Sequence, residues 1–177
     1  FEEIQFFQCF HVNYLKNVFL NNLPSLKNLN FIGQNLDSLE LKNMNSITDL
    51  NLGDIRMKNV HLSGRDLPAL QKFTLGNGRG KCMVESLQLE DMDVLESVDI
   101  QSLKNLKNMF LSNLPVLKEL NCSNTHFGNF ELKGMSALES LGLHGGYMKK
   151  LSLEGENLPV LKNLTLHDFE VEDLILQ

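Results

Sequence analysis

One six-residue pattern, apolar-x-x-apolar-x-apolar, returns along the whole chain and limits what it can fold into. It reads Leu15-Lys-Asn-Val18-Phe-Leu20, Leu26-Lys-Asn-Leu29-Asn-Phe31 and Leu36-Asp-Ser-Leu39-Glu-Leu41. It starts again at Ile47, Met57, Leu70, Val84, Leu95, Leu106, Leu117, Phe127, Leu138, Met148, Leu161 and Val171. Phe1-Glu-Glu-Ile4-Gln-Phe6 fits as a first copy. That makes about sixteen copies, usually ~10 or 11 residues apart. The fourth and sixth positions lie two apart and share one face of an extended chain, while the fifth faces the other way. The first position brings the chain inward at the strand entrance. A helix would sustain apolar residues at three-four spacing over several turns. Here the pattern resets after polar or glycine-containing gaps, so each hexad predicts a short strand.

Two hexads make one coil of roughly 21–25 residues, a repeat length typical of solenoids. They fall into two classes. One class follows a Leu-Pro or Met motif, as at Leu23-Pro24, Met44, Leu67-Pro68, Met92, Leu114-Pro115, Met135 and Leu158-Pro159. Proline is tolerated there because it precedes the strand and leaves no ladder bond unmade. The other class follows a short loop. A longer period is superposed: residues 15–75 align without a gap on 106–166, at an offset of about 91 with roughly 27 identities. Duplication of a block of about four coils accounts for this.

The repeated Leu-x-x-Leu-x-Leu resembles the leucine-rich-repeat superfamily over nearly the whole chain. Runs such as Leu-Pro-x-Leu-Lys-x-Leu are similar to the irregular intracellular repeats of F-box adaptors and plant immune receptors. The resemblance implies a mainly-β, right-handed solenoid of about seven to eight coils over residues 1–177. A parallel sheet would line its concave face, with short strands or extended segments opposite. The Asn ladder usual after the strand in that superfamily is absent. The corresponding slots hold Gln34, Ile55, Gly78, Leu103, Thr125, Gly146 and Phe169, a departure that permits strands on both sides of the coil.

Composition narrows the function. A formal net charge of −6 argues against a general nucleic-acid or membrane-surface binder. No apolar run approaches the ~18 residues of a membrane-spanning helix. The odd, widely spaced Cys9, Cys82 and Cys122 make no disulfide framework and point to a cytosolic setting. Two glycosylation sequons, at Asn121 and Asn163, fall inside predicted strands, where a glycan would crowd its neighbours.

No catalytic, cofactor or metal site is predicted. The one glycine-rich loop, Gly76-Asn-Gly-Arg-Gly-Lys81-Cys82, is one residue short of a phosphate-binding loop and has Cys in place of Ser or Thr. It also lies between strands, so it reads as a flexible insertion. His11, His61, His126, His144 and His167 show no metal-ligand spacing. Cys122 fills a slot held elsewhere by leucine and reads as a small core residue, with no histidine placed to activate it. The acidic stretch Glu85, Glu90, Asp91, Asp93, Glu96 and Asp99 reads as solvated surface.

What remains is a recognition surface for a protein or peptide. On the Leu-Pro/Met strands the outward third and fifth positions are Asn28, Asn30, Asp49, Asn51, Lys72, Thr74, Ser97, Asp99, Glu119, Asn121, Ser140, Gly142, Asn163 and Thr165. They are short and polar, and suit hydrogen bonding to a partner better than enclosing a small apolar ligand. Phe19 and Phe110 share one outward position in the two duplicated blocks and are secondary contact candidates. The rival expectation is a structural or assembly segment of a larger solenoid with no specific ligand. Both ends open directly on a hexad, which predicts end-to-end association or continuation into further coils.

Overall fold

The structure, a computed structural model, describes residues 1–177 and contains strands but no helix. Sixteen strands follow one another in chain order, five residues long in most cases. All pair in parallel. A parallel pair needs a crossover between its members, and here each crossover is the strand on the opposite side of the coil. The odd strands form one eight-stranded sheet: β1 (Phe6–Phe10), β3 (Asn28–Ile32), β5 (Asp49–Gly53), β7 (Lys72–Leu75), β9 (Ser97–Gln101), β11 (Glu119–Ser123), β13 (Ser140–His144) and β15 (Asn163–His167). Apart from β1, these are the strands that follow the Leu-Pro and Met motifs, so the class visible in the sequence is a sheet in space.

The even strands form the opposing side. β2 (Asn17–Asn21) and β4 (Ser38–Lys42) make a separate pair. β6 (Asn59–Ser63), β8 (Ser86–Glu90), β10 (Leu106–Ser112), β12 (His126–Lys133), β14 (Tyr147–Leu153) and β16 (Glu170–Leu176) make a six-stranded sheet. This side carries the short strands expected there, five residues long from β2 to β8 and up to eight in β12.

The core between the two sides is one continuous cluster. Fourth- and sixth-position side chains fill it: Leu29 and Phe31, Leu50 and Leu52, Leu141 and Leu143 are buried. First-position residues such as Leu26, Ile47 and Leu117 are also buried, and close the strand entrances. Parallel stacking fixes this register strictly, because a one-residue slip would turn every leucine outward.

The first hexad is shifted from its expected place. Phe7 and Cys9, not Ile4 and Phe6, pair with Leu29 and Phe31, and Phe6 is 64 % exposed. The operative copy is Ile4-Gln-Phe-Phe7-Gln-Cys9. It satisfies the same pattern and keeps the coil length to Leu26, which the copy beginning at Phe1 stretches. With this register Ile4 aligns with Leu95, so the duplication extends back to the first strand.

The turns solve the problem posed by the missing Asn ladder. Two residues past the last core position, the chain adopts positive φ at His11, Gly33, Asp54, Ser102, Asn124, Gly145 and Asp168 after odd strands. It does so at Asn22, Asn43, Asp91, Asn113 and Gly134 after even ones. These are mostly the residue types that tolerate the left-handed region. From that conformation the main-chain N–H reaches the next coil, as in Gly33 N–H to Gly53 O (2.9 Å), Asn113 N–H to Lys133 O (3.0 Å) and Asn124 N–H to His144 O (2.6 Å). Side chains add a few bonds: the Gln34 amide donates to Cys9 O (3.3 Å) and Ile32 O (3.1 Å).

Candidate recognition surface

The eight-stranded sheet gathers the predicted contact residues into two columns. Asn28, Asp49, Lys72, Ser97, Glu119, Ser140 and Asn163 are successive partners in the ladder, preceded by Phe6 on β1. Asn30, Asn51, Thr74, Asp99, Asn121, Gly142 and Thr165 form the second column, preceded by Gln8. Neighbours within a column are separated by the strand spacing of about 4.8 Å. The columns are therefore evenly spaced arrays of amide, hydroxyl and charged groups on a rigid support.

Several members are held by near neighbours. Asp49 accepts from Thr48 Oγ1 at 2.6 Å, and Asp99 accepts from Gln101 Nε2 at 2.7 Å. Asn51 Oδ1 is buried and has no hydrogen-bond partner, so the second column contains an unused acceptor. Gly142 interrupts that column as a buried position. A Cβ there would lie 2.4 Å from Asn121 Oδ1 and 2.7 Å from His144 Nε2, so neighbouring side chains lean across the gap. His144 and His167 continue the face beyond it, with ring centroids 6.2 Å apart.

Phe19 and Phe110 lie on the other side of the solenoid and belong to no column of this face. Phe19 is 61 % exposed and pairs across with Glu40. Phe110 is half-buried between Gln88 and Glu131. The glycine-rich loop joins β7 to β8 and is flanked by strands. Within it Asn77 donates to the buried Asp54 carboxylate at 2.8 Å, tying the loop to the previous coil. All three cysteines are free and buried. Burial pushes the Cys82 thiol up to about 11, the Asp54 carboxylate adding to the effect, and raises that of Cys122 further.

One feature of the even side was missed in the sequence. Two neighbouring strand pairs part company at equivalent places in the duplicated blocks. β4 and β6 share no ladder pair, their coils meeting just before them at the Asn35–Arg56 bridge, and β12 and β14 pair only at His126–Tyr147 and Phe127–Met148. Each separation closes again at the corner, through Met44 N–H to Asp66 O (2.9 Å) and Met135 N–H to Asn157 O (3.1 Å). The cause is a difference in corner length. Most even strands run from the last core leucine to the next inward residue in three steps, as Leu41 to Met44 and Leu132 to Met135. After β6 and β14 the step is five, Leu62 to Leu67 and Leu153 to Leu158. The extra residues, in Ser63-Gly-Arg-Asp66 and Glu154-Gly-Glu-Asn157, form a turn that draws the strand end toward the following coil. Gly64 N–H bonds to Glu90 O (2.9 Å) and Gly155 N–H to Gln177 O (2.6 Å). The Leu-x-Gly-x-x-Leu-Pro spacing was the available signal.

Comparison of the chain with protein-family models, curated proteins and solved structures found no match.

Proposed function

We propose that the chain is a protein-recognition module of the leucine-rich-repeat type that binds a protein or peptide through the outer face of its eight-stranded sheet. The observation that carries this reading is the pair of polar columns in strict register, interrupted at Gly142. Side chains mounted on strands are already positioned, so a partner that matches their spacing meets a smaller ordering cost than one binding a loop. A polar face also suits a macromolecule better than a small apolar ligand. No cofactor or metal enters the proposed function, and it requires no chemistry beyond hydrogen bonding and charge. The test is a triple substitution, Asn51→Ala, Lys72→Ala and Asp99→Ala, assayed for loss of partner binding at unchanged fold.

A second reading, an assembly element, has one observation in its favour. Leu174 and Leu176, core positions in register, are 47 % and 59 % exposed on β16. An open strand edge beside exposed leucines suits stacking against a second copy. Sedimentation at micromolar concentration distinguishes the readings. A monomer that retains a stoichiometric partner supports recognition, and self-association without a partner supports assembly.

A further inference from the structure

The opening between β12 and β14 is larger than its counterpart between β4 and β6, about 600 Å³ against about 130 Å³. Every residue lining the smaller opening has its duplicate lining the larger one. The larger one is lined in addition by Phe110, Gly128, Asn129 and Lys150, and the two also differ in what fills them. In the first block, Asp66 turns its carboxylate back into the gap. It accepts from Lys42 Nζ at 3.1 Å and from the Asn43 main-chain N–H at 3.5 Å. That N–H would otherwise point at a strand that has moved away.

In the second block the duplicated positions are Lys133, Gly134 and Asn157. The carboxylate has become an amide, and Asn157 donates to Glu154 instead, at 3.0 Å. The Gly134 N–H has no acceptor, whereas Asn113, its counterpart one coil earlier, bonds forward to Lys133 O. Lys133 pairs with Glu131 on its own strand, an exposed contact of the kind that exchanges readily. Lys150 replaces the Asn59 of the first block on the facing strand. The floor is apolar, formed by the half-buried Phe130 with Leu132, Leu153 and Leu158. Between Asn129 and Lys133 on one wall and Lys150 and Leu153 on the other, no ladder pairs join the strands.

We propose that this cleft docks an extended segment of a partner protein that carries a carboxylate side chain. The segment's main chain lies along the free strand edges, the recognition mode of strand addition. An apolar side chain rests on Phe130 and Leu153. The carboxylate takes the place that Asp66 occupies in the first block, between Lys133 Nζ and the Gly134 N–H. The site lies on the opposite side of the solenoid from the polar columns, so it adds a second contact to the recognition reading and is separable from it.

The probe is a fluorescein-labelled peptide of alternating valine and aspartate, six residues long, titrated into the full chain. A lysine-for-aspartate peptide is the control. The aspartate peptide should bind at least about tenfold more tightly than the control. It should slow hydrogen exchange in Asn129–Lys133 and Lys150–Leu153. Asn157→Asp recreates the first block's arrangement, so it should fold normally and lose at least about tenfold in affinity as its own carboxylate occupies the site. Lys133→Gln should weaken binding similarly. Equal binding of the two peptides, undiminished binding by the Asn157→Asp chain, or protection confined to the eight-stranded sheet would each overturn the proposal. The Asn51, Lys72 and Asp99 substitutions should leave this peptide's affinity unchanged, which separates failure of the cleft from failure of the polar face.

Discussion

At the scale of single residues, two constraints hold each coil: filled leucine slots and a turn residue that accepts positive φ. Leu50 and Leu141 are buried in the middle of the stack with neighbours above and below. Their replacement by alanine should cost roughly 2–5 kcal/mol in denaturant unfolding, because flanking coils limit collapse of the cavity. Cys122→Ser should also destabilise, since it places a hydroxyl in an apolar slot. In the native protein Cys122 should resist thiol reagents until unfolding exposes it. Asn22 sits at φ 53°. Asn22→Gly should be nearly neutral, and Asn22→Val should cost about 1–2 kcal/mol, the steric cost of the left-handed region. Cys82 adds a pH dependence. Its thiol is pushed up to about 11 in the fold and ionises near about 8.5 when unfolded. Its contribution is therefore complete below about pH 8.5 and is lost as pH rises toward about 11. Comparing the chain with Cys82→Ala by urea midpoint over that interval should show the shallower decline in the variant. The turn residues were legible as Asn, Asp or Gly two places after the last core leucine. The ladder position of leucine-rich repeats falls one residue further, at slots such as Gln34 and Thr125, so the hexad pattern with that ladder does not mark them.

At the scale of strands, the hexad predicted the elements well because it encodes the quantity that stacking selects, which residues face inward. It misplaced only the first strand, where Phe6 and Phe7 stand side by side and periodicity alone admits two registers. Coil length decides between them. The partings at β4/β6 and β12/β14 were not legible from the hexads, which continue through both openings unchanged. They follow from corner length, a property of the gaps. Hydrogen exchange should show this directly. Amides along Asn129–Lys133 that face β14 should exchange much faster than those of β11 and β13, which are paired along their full lengths. Deleting Gly155 and Glu156 restores the three-step corner seen at Leu132 to Met135. It should bring β14 onto β12 and raise protection there. Unchanged rapid exchange in the deleted chain would mean that corner length does not cause the parting.

At the scale of the whole molecule, the chain is a stack of eight coils in which two blocks of four repeat one another in sequence and geometry. The fold class followed from the period alone, because each coil can bury its apolar positions only against its neighbours. The placement of the outward residues was legible to the same extent. Outward positions are fixed once inward ones are known, and the ladder placed the chosen residues in continuous columns. The exception is Gly142, which burial removes from the surface. Phe19 and Phe110 were recognised as duplicated, but their place beside the openings on the other side depended on strand geometry that no hexad records. The central claim is that the polar columns are a recognition surface, and its most direct test is capture from extract of the source cells. The unmodified chain should retain one stoichiometric protein. The Asn51→Ala, Lys72→Ala, Asp99→Ala chain should lose it while melting within a few degrees of the original, since each surface change costs under about 0.5 kcal/mol. Retention of the same partner by the triple variant, or recovery of nothing but further copies of the chain, would contradict the account.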